Sequence, residues 1–225
     1  EPLYTYLKKN AENVDASYLL RSEYVLIVSA LDTYVHMVLE DKIVCSFFDV
    51  NQIASSLELP ISEMKKLWVD DKIKKYDILR YCVKARLIQN SFQSPKSLEY
   101  AYSLINISKI WTKIKDGMNM GSEEIKKTLG LIVNRRNMIA HESDRNRVTG
   151  ELQEINLQTI KECKEFIVNL VRQLETLNVW RKVSVGNIPE LPKYFGQKRN
   201  IDSAKSVWRN LGAPKFSGGS QSFLG

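Results

Sequence analysis

The 225-residue chain reads as an all-α helical bundle followed by a basic C-terminal extension. Three observations carry that reading. Apolar residues recur at spacings of three and four almost throughout. No alternating apolar–polar run of useful length, as a half-buried strand needs, interrupts them. Proline, glycine and capping residues mostly fall between the periodic segments.

From about Val14 to Leu39, the residues Leu20, Tyr24, Ile27, Leu31, Tyr34 and Val38 paint one apolar stripe on a long helix, and Asp32 and His36 share a different face. A turn is expected around Asp41 to Asp49, then shorter helical pieces near Val50 to Leu57 and Ser62 to Trp68, separated by Pro60. A further long pattern covers Ile73 to Ile88. Ser94-Pro95 has the form of an N-cap followed by proline at the first helical position, where its missing N–H costs nothing. A helix is therefore expected from Pro95 to about Ile107, with Ser91-Phe92-Gln93 as a connector. Asp116-Gly117 and Gly121-Ser122 punctuate the chain, and Ser122 stands where it can cap a helix from about Glu123 to Glu142. After a polar loop from Ser143 to Asn156, a last long helix from about Leu157 to Trp180 carries Ile160, Cys163, Ile167, Leu170, Val171, Leu174 and Leu177 on one side. Short connections make neighbouring long helices antiparallel.

Beyond Val183 the pattern loosens into Gly186-Asn187-Ile188-Pro189-Glu190-Leu191-Pro192, an extended strap whose prolines exclude a continuous helix. Ala204, Val207, Trp208 and Leu211 then recur as on a short amphipathic helix that stops at Gly212, and Ser217-Gly218-Gly219-Ser220 reads as a flexible end. The division expected is a helical domain over residues 1–181 and a basic extension over 182–225.

The composition, 44% hydrophobic and 26% charged, is that of one ordinary globular domain able to bury a substantial core. No apolar run approaches the roughly 20 residues needed to cross a bilayer, and Glu1-Pro2-Leu3-Tyr4 starts neither a basic n-region nor a signal-peptide core, so no membrane partner is expected. From its opening on Glu1 with no initiator methionine, a trimmed chain or a fragment of something longer is expected. Cys45, Cys82 and Cys163 are odd in number and widely spaced, which indicates neither a disulfide framework nor a zinc site, and the cytoplasm is the compartment expected. The net charge of +7 permits nucleic-acid binding. From Lys182 to Gly225 seven basic residues face two acids, so the extension carries most of that excess.

The chemistry is concentrated in Asn134-Arg135-Arg136-Asn137-Met138-Ile139-Ala140-His141-Glu142. A histidine transfers protons near neutral pH, and an arginine holds the charge that builds on a phosphate in flight. On a helix advancing about 100° per residue, Asn137 and His141 lie about 40° apart, but Arg136 and His141 lie about 140° apart, so one helix alone does not aim them together. Arg136 falls within the stripe of Ile125, Leu129, Ile132, Val133, Ile139 and Ala140, where a guanidinium must find a carboxylate or open onto a cleft. Asp32 is the partner expected for it, ahead of Glu142. Read from spacing alone, Arg136 serves equally as one half of a buried salt bridge, and His141 as a helix-terminal cation favoured by the dipole. His36 reads as a half-exposed histidine of the first helix, Asn134 and Arg135 as solvated or phosphate-touching, and Ser91, Gln93 and Ser94 as turn and cap residues first.

Arg136-Asn137-x-x-x-His141 closely resembles the signature of the HEPN superfamily. With Ser29-Ala30-Leu31-Asp32-Thr33-Tyr34-Val35-His36 and Ser91-Phe92-Gln93-Ser94-Pro95, it resembles in particular the RiboL-PSP-HEPN branch, over roughly residues 14 to 178. The resemblance implies a HEPN-like bundle and a metal-independent endoribonuclease without cofactor, a toxin or effector in bacterial phage defence or in a toxin–antitoxin pair. It implies catalytic Arg136 and His141, with Asn137, Asp32, His36, Glu142, Arg135 and Gln93 supporting the site or positioning RNA. It also implies a homodimer whose motif helices meet near a two-fold axis, and an antitoxin or regulatory domain as a further partner. Some relatives partner a nucleotidyltransferase that modifies a tyrosine two residues after the histidine; Ser143 stands there, which disfavours that variant. A non-catalytic helical adaptor and a nucleic-acid-binding module driven by the basic extension stay open as alternatives.

Overall fold

The computed structural model describes residues 2–10, 15–48, 56–68, 72–146 and 148–177. Among these stand eight helices: α1 (Pro2–Asn10), α2 (Ser17–Phe48), α3 (Ile61–Lys65), α4 (Lys72–Leu87), α5 (Pro95–Ser103), α6 (Ile110–Met118), α7 (Ser122–Glu142) and α8 (Leu157–Leu177). Among the described residues the extended pairing is confined to one isolated bridge, Arg145 to Leu152, within the loop before α8. The fold is the all-α bundle expected. The strap, the short amphipathic helix with Trp208 and Leu211, the flexible end and the piece at Val50 to Leu57 fall wholly or largely outside the described residues.

The bundle is organised around α2, which packs against α1, α4, α5, α7 and α8. Most of the expected stripe is buried: Leu20, Tyr24, Ile27, Leu31 and Tyr34 lie in the core, joined by Val28, Val35 and Leu39, while Val38 is only half-buried. A fully buried aliphatic side chain contributes about 1.5–3 kcal/mol relative to exposure, so this helix anchors the domain. The turn expected at Asp41 to Asp49 does not form, because α2 continues to Phe48. No glycine or proline breaks the segment, and Ile43 and Val44 extend the buried stripe. Arg80 of α4 pairs with Glu40 and Asp41 across the two helices and fixes their register. Burial pushes the Asp41 carboxyl above its ordinary range, against the opposing pull of Arg80.

Ser94 caps α5 as expected, its Oγ accepting from the Ser97 N–H at 3.1 Å while the Ser94 N–H donates to Ser97 Oγ at 3.0 Å. The helix stops at Ser103 rather than near Ile107; Asn106, in the left-handed region at φ 61°, and Lys109, at φ 54°, turn the chain into α6. Helix α6 was not legible, since its Asp116-Gly117 resembles a turn. Gly117 instead lies inside it at the crossing with α8, where Gln173 occupies the space a Cβ would take. At the start of α7 the N-cap is Gly121, one residue before the Ser122 expected, and its N–H donates to the returning Glu124 carboxylate at 3.4 Å. Asn156 caps α8, its Oδ1 accepting from the Thr159 N–H at 3.0 Å.

Where α2 meets α8, Tyr24 and Cys163 are buried together. Burial pushes the Cys163 thiol up to about 12 from an ordinary 9.0, and it also raises the Tyr24 hydroxyl. Both groups ionise more readily in the unfolded chain. Their contribution to stability is therefore complete below the unfolded values and lost as pH climbs through the folded ones. The denaturant midpoint is expected to fall as pH rises above about 9, and iodoacetamide at pH 8 should spare Cys163 in the native protein while labelling it in denaturant. Equal labelling in both states would contradict this packing.

Candidate active site at the end of the motif helix

The site is built at the C-terminal end of α7. Ile125, Leu129, Ile132 and Val133 bury one face of this helix, but the stripe ends there: Arg135, Arg136 and Ile139 are half-buried, and Asn137, Ala140 and His141 are exposed. The helix terminates because Ser143 and Asp144 both adopt the left-handed conformation, at φ 52° and 58°, which lets the Asp144 N–H return to the Met138 carbonyl at 3.0 Å. Two consecutive non-glycine residues in that region cost on the order of 1–2 kcal/mol each, so something must hold them.

Asp144 supplies the hold. Its fully buried carboxylate takes Arg21 Nε of α2 at 3.0 Å, and from α7 Arg135 Nε at 2.8 Å and Arg135 Nη2 at 2.8 Å. The terminal guanidinium nitrogens bond further: Arg21 donates to Ser17 Oγ at 2.5 Å and to the Gln153 carbonyl at 2.7 Å. Arg135 donates to Gln153 Oε1 and to the Glu154 carbonyl, both at 2.9 Å. The Gln153 N–H in turn donates to the Asp144 carbonyl at 2.9 Å. Arg135, read from sequence as solvated or phosphate-touching, is instead a structural cation.

The pairing expected between Asp32 and Arg136 is not made. The Asp32 carboxylate accepts from the Phe92 N–H of the α4–α5 connector and lies 3.8 Å from His36 Nδ1. The His36 ring faces two carbonyl oxygens, Asp32 at 2.9 Å and Leu87 at 3.1 Å, and sits 4.8 Å from the Phe92 ring. Gln93 is buried beside them in sequence, at 7% exposure. Asp32, His36 and the connector thus join α2 to the end of α4, and no hydrogen bond or ion pair links them to Arg136, Asn137 or His141. The reason is directional: Asp32 is one of several acids on a helix with five neighbours, and periodicity shows which face is buried without showing which neighbour covers it.

Arg136 is left without a carboxylate among the described residues. Its Nε is buried and unpartnered, and its Nη1 donates to Asn137 Oδ1 at 3.1 Å. That bond bends the guanidinium toward the face that Asn137 shares with His141, one turn further on. Glu142 is half-buried, and its carbonyl accepts from the Arg145 N–H at 3.1 Å. Beside this end of α7 a groove of about 460 Å³ runs between α2 and α7, lined by Tyr18, Val25, Leu26, Ile139, Ala140 and Ser143 among others. Leu26 is 64% exposed and Tyr18 54%. Arg21, Asp144 and Gln153 do not stand out in the sequence as site residues. Arg21 does leave a signal, a cation wedged between the core positions Leu20 and Tyr24, where a guanidinium needs an acid.

Among the described residues no group of three or more histidine, cysteine or acidic side chains stands together as metal ligands, and no helix is long and apolar enough to cross a membrane. The fold and the motif together define an all-α domain of the HEPN type. The chain belongs to the RiboL-PSP-HEPN family, whose model matches residues 3–177 and so includes α1, which the motif phrases did not reach. No curated protein and no solved structure matches the chain.

Proposed function

We propose that the protein is a HEPN-type endoribonuclease that cleaves RNA without a metal, acting as a toxin or effector in bacterial phage defence or in a toxin–antitoxin pair. The observation that carries this reading is the contrast between adjacent arginines: Arg135 is ion-paired with the Asp144 carboxylate and hydrogen-bonded through both terminal nitrogens, whereas Arg136 has no acid partner among the described residues and leans toward the exposed face bearing His141.

In RNA the 2′-hydroxyl is a built-in nucleophile beside the scissile phosphorus, so positioning and proton transfer suffice. The 2′-oxygen attacks phosphorus as its proton passes to one imidazole. The P–O5′ bond breaks as a second imidazole protonates the departing 5′-oxygen, and Arg136 stabilises the charge on the phosphorane-like transition state. The products are a 2′,3′-cyclic phosphate and a 5′-hydroxyl. One His141 per chain cannot be both base and acid in a single step, so the reaction calls for two copies related by a two-fold axis, each contributing Arg136 and His141. The apolar groove between α2 and α7, beside Ala140 and Ser143, is the surface such a dimer would cover.

Purified protein is expected to sediment as a dimer and to cleave RNA, and Leu26→Asp, which puts a charge on that groove, should yield a folded monomer with activity lowered at least tenfold. A monomeric Leu26→Asp protein of full activity would overturn the composite site. A wild-type protein that cleaves no RNA would turn the reading toward the helical adaptor.

A further inference from the structure

We infer that Asp144 is a positioning residue of the site: by clamping Arg21 and Arg135 it holds the left-handed turn that ends α7, and so sets where the His141 imidazole stands. The inference rests on the ribonuclease reading for its kinetic consequence and on the clamp alone for its structural one. His141 is exposed and makes no hydrogen bond to any described residue, so its place is determined by the backbone that carries it. That backbone is the last turn of α7, and the turn is closed by two non-glycine residues at positive φ. Such a conformation persists only when its surroundings over-determine it.

Asp144 is tied through both its backbone and its side chain. Its N–H goes to the Met138 carbonyl inside the motif, its carbonyl takes the Gln153 N–H, and its carboxylate takes one guanidinium from α2 and one from α7. The α2 guanidinium, Arg21, is itself 5% exposed and adjoins the groove of the proposed dimer. A single fully buried carboxylate therefore links the motif helix, the loop before α8 and the proposed dimer face. It also occupies Arg135, which leaves Arg136 as the motif cation with no acid partner among the described residues.

Asp144→Asn separates this role from simple support, because asparagine tolerates the left-handed region and keeps the side chain's shape while removing its charge. The expected result is a kcat for RNA cleavage lowered at least tenfold with KM within about twofold of wild type. The chain has only two histidines, so their imidazole Cε1–Hε1 NMR signals can be followed singly. The His141 signal should move or broaden while that of His36 stays in place. Arg21→Lys, which keeps the charge and loses the fork, should show the same kcat and NMR changes in smaller measure, and it serves if Asp144→Asn does not fold. An Asp144→Asn protein, or failing that an Arg21→Lys protein, with unchanged kcat and an unmoved His141 signal would overturn the inference. Absence of cleavage by wild type would instead strike the ribonuclease reading, and the NMR comparison would still decide whether Asp144 places His141.

Discussion

Alanine at His141 is expected to lower RNA cleavage by on the order of a hundredfold or more, the scale of losing a general acid–base group, while leaving the fold intact. The side chain is exposed and makes no hydrogen bond to a described residue, so little stability is lost with it. Arg136→Ala should lower cleavage on a similar scale, also without a large change in melting temperature, because no carboxylate among the described residues is stranded by its removal. A His141→Ala protein that cleaves RNA at the wild-type rate would show that the motif histidine carries no proton in the reaction.

The same substitution one residue earlier should behave in the opposite way. Arg135→Ala is expected to destabilise the domain by about 3–5 kcal/mol, the usual cost of breaking a buried ion pair from one side. It removes one of the two guanidinium groups held by a carboxylate that has no exposure at all, and it also strips donors from Gln153 and the Glu154 carbonyl. Arg21 remains on Asp144, so the charge is not wholly abandoned, which places the effect toward the lower end of that range. Chemical denaturation of Arg135→Ala and Arg136→Ala side by side measures the contrast; equal stabilities would mean that the two arginines have been assigned the wrong roles.

That reversal shows where reading the sequence stops. Periodicity identified the buried faces of α2 and α8, and that of α7 as far as Val133, and Ser94-Pro95 marked the start of α5, because these depend on local spacing and local capping. The motif phrases placed the chain near its family for the same reason: they are contiguous and specific. Helix α6 was missed because its glycine serves a close crossing with Gln173 of α8, a reason that lies in another helix. The extension of α2 to Phe48 was missed because Glu40 and Asp41 resemble a polar turn until Arg80 is seen opposite them. A guanidinium in an apolar stripe does need an acid. That need is met at the neighbouring Arg135 and at Arg21, and the acid is Asp144, whose place in a left-handed turn has no periodic signature.

The absence of an acid partner for Arg136 among the described residues also changes what the motif can do. A guanidinium locked by Asp32 would have offered a phosphate little, whereas one bonded among the described residues to Asn137 alone would be free, in the proposed reaction, to turn onto a phosphoryl oxygen without breaking an ion pair to them. Activity and stability should therefore separate cleanly between positions 136 and 135, which is unusual for adjacent residues of one helix.

The most direct test of the central claim is to incubate purified protein with a defined RNA in excess EDTA and to analyse the ends of the fragments. The account predicts cleavage that proceeds in the chelator, yields 2′,3′-cyclic phosphate and 5′-hydroxyl ends, and disappears in His141→Ala. Cleavage that depends on added divalent metal, or that leaves 5′-phosphate and 3′-hydroxyl ends, would contradict it.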